Sequence, residues 1–276
     1  MKCIFIKTEP GVYQYVSPGG NHEVCGFYVI AEPTEFTVFE FEEFDVSCSA
    51  RGLLSVIDGW ELNGQFFPGT DDHSLPRKER YHEYCGTTKP WKKFRMSQNV
   101  GLIEFRIPTK GEGFRVNVKF VKNEKPCNAV LQNPVGVYTL RNYGQAVNCT
   151  ISIIFPEKIT VLAASVAAEQ KVEQSEPSEN VFVETGIVKD CKQRGLKDYV
   201  EIKGGDGLDP GLMMVAEDFC GVKSTPSKRE VDVACGNTAI RLVSSGQYDN
   251  SVTIGFDLLL DFSSSSLICP ALLEAL

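Results

Sequence analysis

The stretch Leu53-Leu-Ser-Val-Ile-Asp-Gly59 joins a short apolar run to a glycine turn, and the same pattern returns at Tyr199-Val-Glu-Ile-Lys-Gly-Gly205. Short runs rich in Val, Ile and Tyr that end in a glycine turn are typical of β-strands. A cysteine in a matching setting follows each stretch, in Glu83-Tyr-Cys-Gly86 and in Asp218-Phe-Cys-Gly221. The chain therefore contains one structural unit in two copies.

The repeat extends over most of the chain. Further short alternating runs, separated by Gly, Pro and Asn, occupy equivalent positions in both copies: 36–41 and 159–162, 102–107 and 239–243, 114–120 and 252–258. Many short strands with regular turns are typical of a β-sandwich. We therefore expect an all-β protein with two tandem β-sandwich domains at residues 1–122 and 123–262, followed by a C-terminal tail at 263–276.

One stretch of the second copy departs from this pattern. Ala163 to Gln174 is helix-prone, but the polar segment that follows, Ser175-Glu-Pro-Ser-Glu-Asn180, has no face that could join a core. Polar segments of this kind are typical of loops. We expect an exposed, mobile loop over residues 163–180 rather than an ordered helix.

The composition excludes several classes of function. Hydrophobic residues make up 42% of the chain and charged residues 23%, the balance of a folded globular protein. The net charge is −8, without the basic excess of a nucleic-acid-binding protein. No run of about 18 apolar residues occurs, so no membrane insertion is expected.

The ten cysteines indicate an oxidising compartment. Their even number and spread favour disulfide bonds, and the lack of C-x-x-C spacing disfavours a structural zinc site. We therefore expect a secreted, extracellular protein. The chain starts Met1-Lys-Cys3 without the apolar run of a signal peptide, and we expect this start to be truncated or mispredicted.

The repeat also restricts how the cysteines pair, because equivalent domains are expected to have equivalent bridges. It predicts four of them: Cys3–Cys25, Cys127–Cys149, Cys48–Cys85 and Cys191–Cys220. Cys235 and Cys269 remain, either as a fifth pair or as free thiols. A fifth pair would tie the C-terminal tail to the second domain, and each bridge would add about 2–4 kcal/mol to stability.

The repeated unit resembles the CUB domain, an extracellular jelly-roll sandwich, in its four cysteines, its Tyr-Val-Glu-Ile strand and its Phe-Cys-Gly step. The whole chain is similar to the corticotropin-releasing factor-binding protein family. The similar runs are 58–68, 72–76, 79–81, 97–100, 148–149, 152–156, 204–210 and 241–246. The resemblance covers Cys3 to about Leu260 and includes all ten cysteines.

The resemblance implies two CUB-like jelly-roll domains with five sequential bridges, among them Cys235–Cys269. It also implies a secreted protein that sequesters a helical neuropeptide like corticotropin-releasing factor, or like its invertebrate diuretic-hormone relatives. Such capture would limit signalling through the peptide's receptor.

Two other functions of CUB-like domains are possible: a calcium-dependent adhesion or assembly module, and a regulatory fragment of a secreted protease. Many CUB domains bind calcium through one Glu and two Asp. In the first domain Gly52 stands at the position of an expected Asp, and Pro108-Thr-Lys-Gly-Glu112 replaces an expected Ser-Asp. The second domain keeps Asp198, but Ser244-Ser-Gly246 stands where the last Asp is expected. One acid in place of three predicts no metal site. The protease interpretation would require a catalytic domain beyond this chain.

No catalytic site and no cofactor are expected, and we predict that the protein is not an enzyme. No G-x-S-x-G motif occurs. His73 lies beside Asp71 and Asp72, which would suit acid–base chemistry, but a surface-loop histidine is the simpler interpretation. The run Gly204-Gly-Asp-Gly207 lacks the Lys-Ser/Thr ending of a phosphate-binding loop.

Aromatic residues after the Asp58-Gly59 turn are the candidate ligand anchors. An amphipathic peptide helix buries its apolar face in a groove, and core packing is less assured after a turn. The candidates are Trp60, Phe66 and Phe67.

A basic segment and a glycosylation sequon complete the candidate sites. Basic residues surround Trp91 in sequence, and they form either a ligand-facing patch or, more simply, solvated loops: Arg77, Lys78, Arg80, Lys89, Lys92, Lys93 and Arg95. Asn148-Cys-Thr150 is a glycosylation sequon, and its use would require Asn148 to lie at the surface.

Overall fold

The computed structural model describes residues 3–20, 23–167, 186–224, 226, 230–263 and 265–270. The chain divides into two compact units, Met1–Val130 and Leu131–Leu276, which we call the N-terminal and C-terminal domains. The division falls after Val130 rather than after the expected residue 122. Val130 contacts Asn99 of the first unit, whose side-chain amide donates to Val130 O over 2.9 Å and accepts from Val130 N–H over 3.0 Å.

The N-terminal domain contains two layers of strands. Its strands are β1 (Ile4–Lys7), β2 (Gly11–Val16), β3 (Cys25–Ile30), β4 (Glu35–Asp45), β5 (Leu53–Asp58), β6 (Trp60–Leu62), β7 (Gln65–Phe67), β8 (Tyr81–Tyr84), β9 (Phe94–Arg95), β10 (Val100–Arg106) and β11 (Gly113–Lys122). One layer has the order β1-β3-β10-β5-β8 and the other β2-β11-β4-β9. The strands pair antiparallel except β1, which runs parallel to β3.

The space between the two layers is filled mainly by aromatic side chains. Alternate residues of β3, β5 and β10 point inward and meet alternate residues of β4 and β11, as the period of two in a strand requires. Seven phenylalanines belong to this core: Phe27, Phe39, Phe41, Phe44, Phe94, Phe105 and Phe114. Large rings bury much apolar area per residue, so a small sandwich obtains a substantial core.

The C-terminal domain repeats this arrangement. Its strands are β12 (Ala129–Leu131, at the domain boundary), β13 (Gly136–Arg141), β14 (Cys149–Ile153), β15 (Glu157–Val166), β16 (Gly186–Lys189), β17 (Tyr199–Gly205), β18 (Met214–Lys223), β19 (Glu230–Ala234), β20 (Asn237–Val243), β21 (Ser251–Leu258) and β22 (Leu267–Ile268). The order β14-β20-β17-β18 corresponds to β3-β10-β5-β8. The last residues of β15 pair with β18, and this pairing joins the two layers into one continuous sheet.

The expected loop at residues 163–180 begins later than the sequence predicts. Ala163–Val166 are the end of β15, where Ala164 pairs with Lys223 on one side and with Val252 on the other. Ladder hydrogen bonds on both sides outweigh the helical preference of two alanines. Residues 168–180 of the expected loop lie outside the described residues.

All ten cysteines are in disulfide bonds, and none is free. The structure joins Cys3 to Cys25, Cys48 to Cys85, Cys191 to Cys220 and Cys235 to Cys269. The two other cysteines, Cys127 and Cys149, are also disulfide-bonded. Cys269 follows β22, which pairs with β19, so the described part of the C-terminal tail is attached to the second domain.

The prediction of an all-β, disulfide-bonded fold is confirmed. Within the described ranges, the only helical element longer than three residues is a single 3-10 turn at Arg77–Arg80. None of the described segments forms a helix with the length and apolar character to cross a membrane.

Candidate ligand-binding groove

The N-terminal sandwich is open along the side where β1 and β2 are the edge strands of the two layers. Phe5 of β1 lies opposite Phe27 of β3, and Tyr15 of β2 lies opposite Phe114 of β11. The side chains of Phe5 and Tyr15 therefore face each other across the gap between the layers. Their ring centroids are 6.2 Å apart in an edge-to-face arrangement.

This gap is an aromatic groove with a volume of about 160 Å³. Its floor is the aromatic core, because Phe105 lies 4.4 Å from the ring of Tyr15 and 6.5 Å from the ring of Phe5. The lining residues, which we call the edge groove, are Phe5, Lys7, Tyr13, Gln14, Tyr15, Phe27, Phe105 and Phe114. A concave site with aromatic walls and few polar groups suits an apolar side chain.

Polar groups hold one end of the edge groove in place. The hydroxyl of Tyr13 donates to Glu9 O over 2.8 Å, and the Lys7 ammonium lies 5.3 Å from the centre of the Tyr13 ring. Burial, and secondarily the charge of Glu9, raises the pKa of Tyr13, so its hydroxyl stays neutral. The groove therefore carries one cation, Lys7, beside an apolar floor.

The surface around the edge groove is unusually apolar. Phe5 is 38% exposed and Ile6 62% exposed, although both belong to a strand. Ile4, Val12 and Val16 of the same two edge strands are also exposed. Contiguous exposed apolar residues with polar neighbours mark surfaces that bind another molecule.

A second, larger cavity lies in the C-terminal domain beside the Cys191–Cys220 bridge. Its volume is about 500 Å³, and charged side chains dominate its lining: Lys189, Asp190, Lys192, Gln193, Val215, Ala216, Glu217 and Asp218. Lys189 already pairs with Glu217 over 2.7 Å. We favour the edge groove as the ligand site despite its smaller volume, because an amphipathic peptide needs apolar contact area.

The expected anchors Trp60, Phe66 and Phe67 are all buried, so the expectation that they face a ligand is wrong for this structure. Trp60 donates from its indole nitrogen to Val29 O over 3.1 Å, and its ring contacts Tyr28 edge-to-face. The hairpin of β6 and β7 covers the outer face of the five-stranded layer. A sequence pattern does not reveal that this face is covered, and an aromatic residue after a turn then looks exposed.

Arg80 is the one member of the basic segment that is fully buried. Its guanidinium donates to the backbone carbonyls of Asp58, Phe67 and Pro68 over 2.8–3.3 Å. Phe66 contacts the guanidinium of Arg77 at 4.2 Å. Arg80 therefore holds the hairpin in place from inside the domain, whereas Arg77 contacts the hairpin through Phe66 and stays exposed.

His73 is buried, and the expectation of a surface-loop histidine is wrong. Its Nδ1 accepts a hydrogen bond from Leu75 N–H over 2.9 Å, so the proton of a neutral ring is on Nε2. Nε2 lies 3.2 Å from Asp58 Oδ2 but outside hydrogen-bonding geometry. Asp58 also accepts from Ser97 and Gln98, so the pair connects loop segments inside the domain.

At Gly52 and Asp198, where the CUB resemblance implies calcium ligands, other groups of the protein fill the space or contact the carboxylate. A side chain added at Gly52 would meet Ser47 O at 2.8 Å, which leaves no room for a carboxylate. Asp198 is buried and accepts hydrogen bonds from Ser245 and Asn250 over 2.5–2.9 Å. Neutral donors thus contact both oxygens of the one acid that the sequence retains.

Asn148 of the sequon is half-buried next to the Cys149 bridge. Its Oδ1 accepts a hydrogen bond from Ser244 N–H over 3.3 Å, and Thr150 is fully buried in β14. Glycosylation of Asn148 stays a prediction.

Two carboxyl groups on corresponding layers of the two domains, Glu104 of β10 and Glu201 of β17, differ in their surroundings. Burial, and then Glu61 beside it, raises the pKa of Glu104 to about 8. Burial would also raise the pKa of Glu201, but Lys192, Lys203 and Arg241 surround this carboxylate and lower it instead. The distances from Glu201 to the three cations are 2.8, 3.8 and 3.3 Å.

Sequence reasoning missed the residues of the edge groove. The signal is present in β2, where Val12-Tyr-Gln-Tyr-Val16 has apolar residues on both faces, and in the apolar run Ile4-Phe-Ile6. A strand that is apolar on both faces is expected in the middle of a buried sheet. At an edge it marks a surface for another chain.

Comparison with known proteins gives two family matches. The model of the corticotropin-releasing factor binding protein N-terminal domain matches residues 1–122, and that of the C-terminal domain matches residues 129–263. The corticotropin-releasing factor-binding protein of Homo sapiens is 35% identical over 256 residues, which are 93% of this chain and 75% of the human protein. That of Xenopus laevis is 33% identical over 259 residues, 94% of this chain and 76% of the other.

Among solved structures, the CUB1-EGF-CUB2 domains of rat MASP-1 align with 92% of this chain and 99% of their own, at 12% identity and a TM-score of 0.31. This similarity is too low to support a functional conclusion.

Proposed function

The chain belongs to the corticotropin-releasing factor-binding protein family, and from this premise we propose that it sequesters a corticotropin-releasing factor-like or diuretic-hormone-like peptide outside the cell. Its relatives are named for this binding. The disulfide bonds support secretion, because such bonds persist in oxidising compartments.

The edge groove is the observation that carries the proposal. Phe5, Tyr13 and Tyr15 form apolar walls that are already in place, so binding would not require the groove to be assembled. We propose that apolar side chains on one face of the peptide enter this groove. A peptide held by its apolar face could not present that face to a receptor, and signalling would fall accordingly.

We propose that the protein acts by binding and does not catalyse a reaction. The described residues contain one His–Asp pair, His73 and Asp58, and it is enclosed in the N-terminal domain. Because Nδ1 of His73 accepts from Leu75 N–H, the ring is fixed by the backbone, and it lines neither the edge groove nor the charged cavity of the C-terminal domain.

The test compares two neighbouring residues of β1 that face opposite sides of the strand. Phe5→Glu places a charge in the edge groove, whereas Ile6→Glu places the same charge on the outer face. We expect the secreted wild-type protein to bind a corticotropin-releasing factor-like peptide with sub-micromolar affinity in calorimetry. Phe5→Glu should weaken binding about 30-fold, the effect of losing an interface hot spot, and Ile6→Glu should change it about twofold at most.

The two parts of the proposal fail in different ways. No binding of any such peptide by the wild-type protein contradicts the function. Binding that is lost in Ile6→Glu and kept in Phe5→Glu contradicts the groove and leaves the function standing. Circular dichroism of both variants separates loss of binding from loss of folding.

A further inference from the structure

The side of the N-terminal sandwich opposite the edge groove carries a segment rich in cations. The edge strands here are β8 and β9, and residues 85–93 connect them. No acidic residue occurs between Glu83 and Glu104. We call the surface formed by Lys89, Trp91, Lys92, Lys93 and Arg95 the basic loop.

Trp91 is the most exposed large apolar residue of the described structure. Its side chain is 93% exposed, and it has no aromatic partner among the described rings. A tryptophan ring that stays in water does not contribute the stabilisation that burial of its large apolar surface would give. Since the same domain buries Trp60 and seven phenylalanines, an exposed Trp91 points to a contact with something outside the chain.

Two of the neighbouring cations, Lys92 and Arg95, contact aromatic rings. Arg95 lies 4.1 Å from the centre of the Phe36 ring, and Lys92 lies 4.9 Å from the centre of the Phe94 ring. An aromatic ring fixes a cation in place without cancelling its charge. Both positive charges therefore remain available to an anion.

The positive charges of the basic loop are only partly neutralised by acidic side chains. The ammonium of Lys92 lies 3.2 Å from Nε2 of His82, and burial together with this ammonium lowers the pKa of His82. Lys93 contacts Glu40 at 3.6 Å, but Glu40 is also bound by Lys119 at 2.7 Å. One carboxylate thus serves two lysines, and the patch is positive on a chain of net charge −8.

Two cations lie on either side of Val38 across three strands. Arg95 of β9 lies opposite Val38 of β4, and Val38 lies opposite Lys119 of β11. Neighbouring strands are about 4.8 Å apart, so Arg95 and Lys119 are about 10 Å apart. Cations separated by about 10 Å match a linear polyanion better than a single compact phosphate.

From this arrangement we propose that the basic loop binds a sulfated polysaccharide of the extracellular matrix. The ammonium and guanidinium groups pair with sulfates, and the flat face of Trp91 stacks on the apolar face of a sugar ring. An anionic membrane is the weaker match, because one tryptophan offers far less apolar surface than an interfacial helix. The site lies away from the edge groove and is independent of peptide capture.

The test measures binding of a size-defined heparin oligosaccharide to the full chain by calorimetry at several salt concentrations. We expect wild-type binding that weakens steeply with salt. The triple variant Lys92→Gln/Lys93→Gln/Arg95→Gln should bind at least about tenfold more weakly, since each charge-assisted hydrogen bond to sulfate is lost. Trp91→Ala should also weaken binding but leave the salt dependence unchanged.

Arg115→Gln is the matched control, because Arg115 lies on the outer face of the same layer and already pairs with Glu42 and Glu43. It should leave heparin binding unchanged. An equal loss in the control and the triple variant, or no loss in the triple variant, overturns the proposal. So does binding to phosphatidylserine vesicles without binding to heparin. Peptide binding retained by the triple variant shows that the variant is folded.

Discussion

The two domains carry opposite charges at corresponding positions of corresponding layers: Glu104 in the first and Arg241 in the second. On the outer face of the N-terminal domain, Glu104 of β10 lies opposite Ser55 of β5. On the C-terminal domain, Arg241 of β20 lies opposite Glu201 of β17. The first domain covers this face with the hairpin of β6 and β7, and its carboxyl stays protonated near neutral pH. The second domain surrounds its carboxylate with cations and keeps it charged.

Glu157 shows that the partners, and not the domain, cause this difference. It belongs to the C-terminal domain and is fully buried, but neither of its oxygens has a hydrogen-bond partner among the described residues. Burial, and then the charge of Asp257, raises the pKa of Glu157 to about 8. Among Glu104, Glu157 and Glu201, only Glu201 has cations in contact with it, and only its pKa is lowered.

The largest effect is expected from breaking the ion cluster of the C-terminal domain. Glu201→Ala leaves the buried Lys203 and the mostly buried Arg241 without this carboxylate. Removing one partner of a buried ion pair costs about 3–5 kcal/mol, and we expect this loss in the free energy of unfolding. The measurement is urea unfolding followed by far-UV circular dichroism.

Two controls accompany Glu201→Ala. Lys192→Ala removes an exposed partner of the same carboxylate and should cost about 1 kcal/mol or less. Both tryptophans belong to the N-terminal domain, so their fluorescence should report an unchanged transition in either variant. Equal losses in the free energy of unfolding for Glu201→Ala and Lys192→Ala would contradict a stabilising role of the buried ion pairs of Glu201.

A smaller effect, of opposite sign, is expected from Glu104→Gln. Because the pKa of Glu104 is higher in the folded state than in the unfolded state, the wild-type protein loses stability as the pH rises from about 4.5 to about 8. Glutamine keeps a donor for Glu61 and has no proton to lose. The variant should be about 2 kcal/mol more stable than the wild type at pH 9.

The same comparison at pH 4 should show nearly equal stabilities, since both states of the wild type are then protonated. Urea unfolding followed by tryptophan fluorescence checks both values. Glu83→Gln, at an exposed position of β8, is the matched control and should show no pH-dependent gain. A constant difference between wild type and Glu104→Gln at both pH values would contradict the raised pKa.

The smallest effect is expected from the sequon, which only the C-terminal domain carries. Protein from a secreting eukaryotic host should lose mass on treatment with an N-glycosidase, and Asn148→Gln should remove this loss. Its effect on unfolding should stay within about 1 kcal/mol, the contribution of the one hydrogen bond that Asn148 accepts from Ser244 N–H. An unmodified intact mass of the wild type would contradict use of the site.

The fold class could be predicted because it follows from features that repeat in the sequence. Alternating strands, glycine turns and evenly placed cysteines leave few arrangements other than paired sandwiches. The family resemblance is confirmed by the two family models, which match residues 1–122 and 129–263. The boundary after residue 122 stays a prediction. The contact between Asn99 and Val130 is distant in sequence, and no local pattern shows it.

The binding surface could be predicted only in part, because strand pattern does not show what covers the outer face of a sheet. Trp60 and Phe67 look like exposed anchors in the sequence but are enclosed by their own hairpin. Phe5 and Tyr15 look like core residues but line an open edge. Trp91 lies within a basic segment of the sequence, but only the structure separates the exposed lysines of this segment from the buried Arg80.

The Cys3–Cys25 bridge gives the edge groove a dependence on the redox state of its surroundings. Cys3 immediately precedes β1, and Cys25 begins β3, so the bridge fixes the strand that carries Phe5 to the rest of its layer. Reduction would leave β1 held by its pairing with β3 and by the ring contacts of Phe5, without a covalent link to its layer. On the proposed function, a compartment rich in thiols would therefore loosen the wall of the edge groove that Phe5 forms, and with it the hold on a bound peptide.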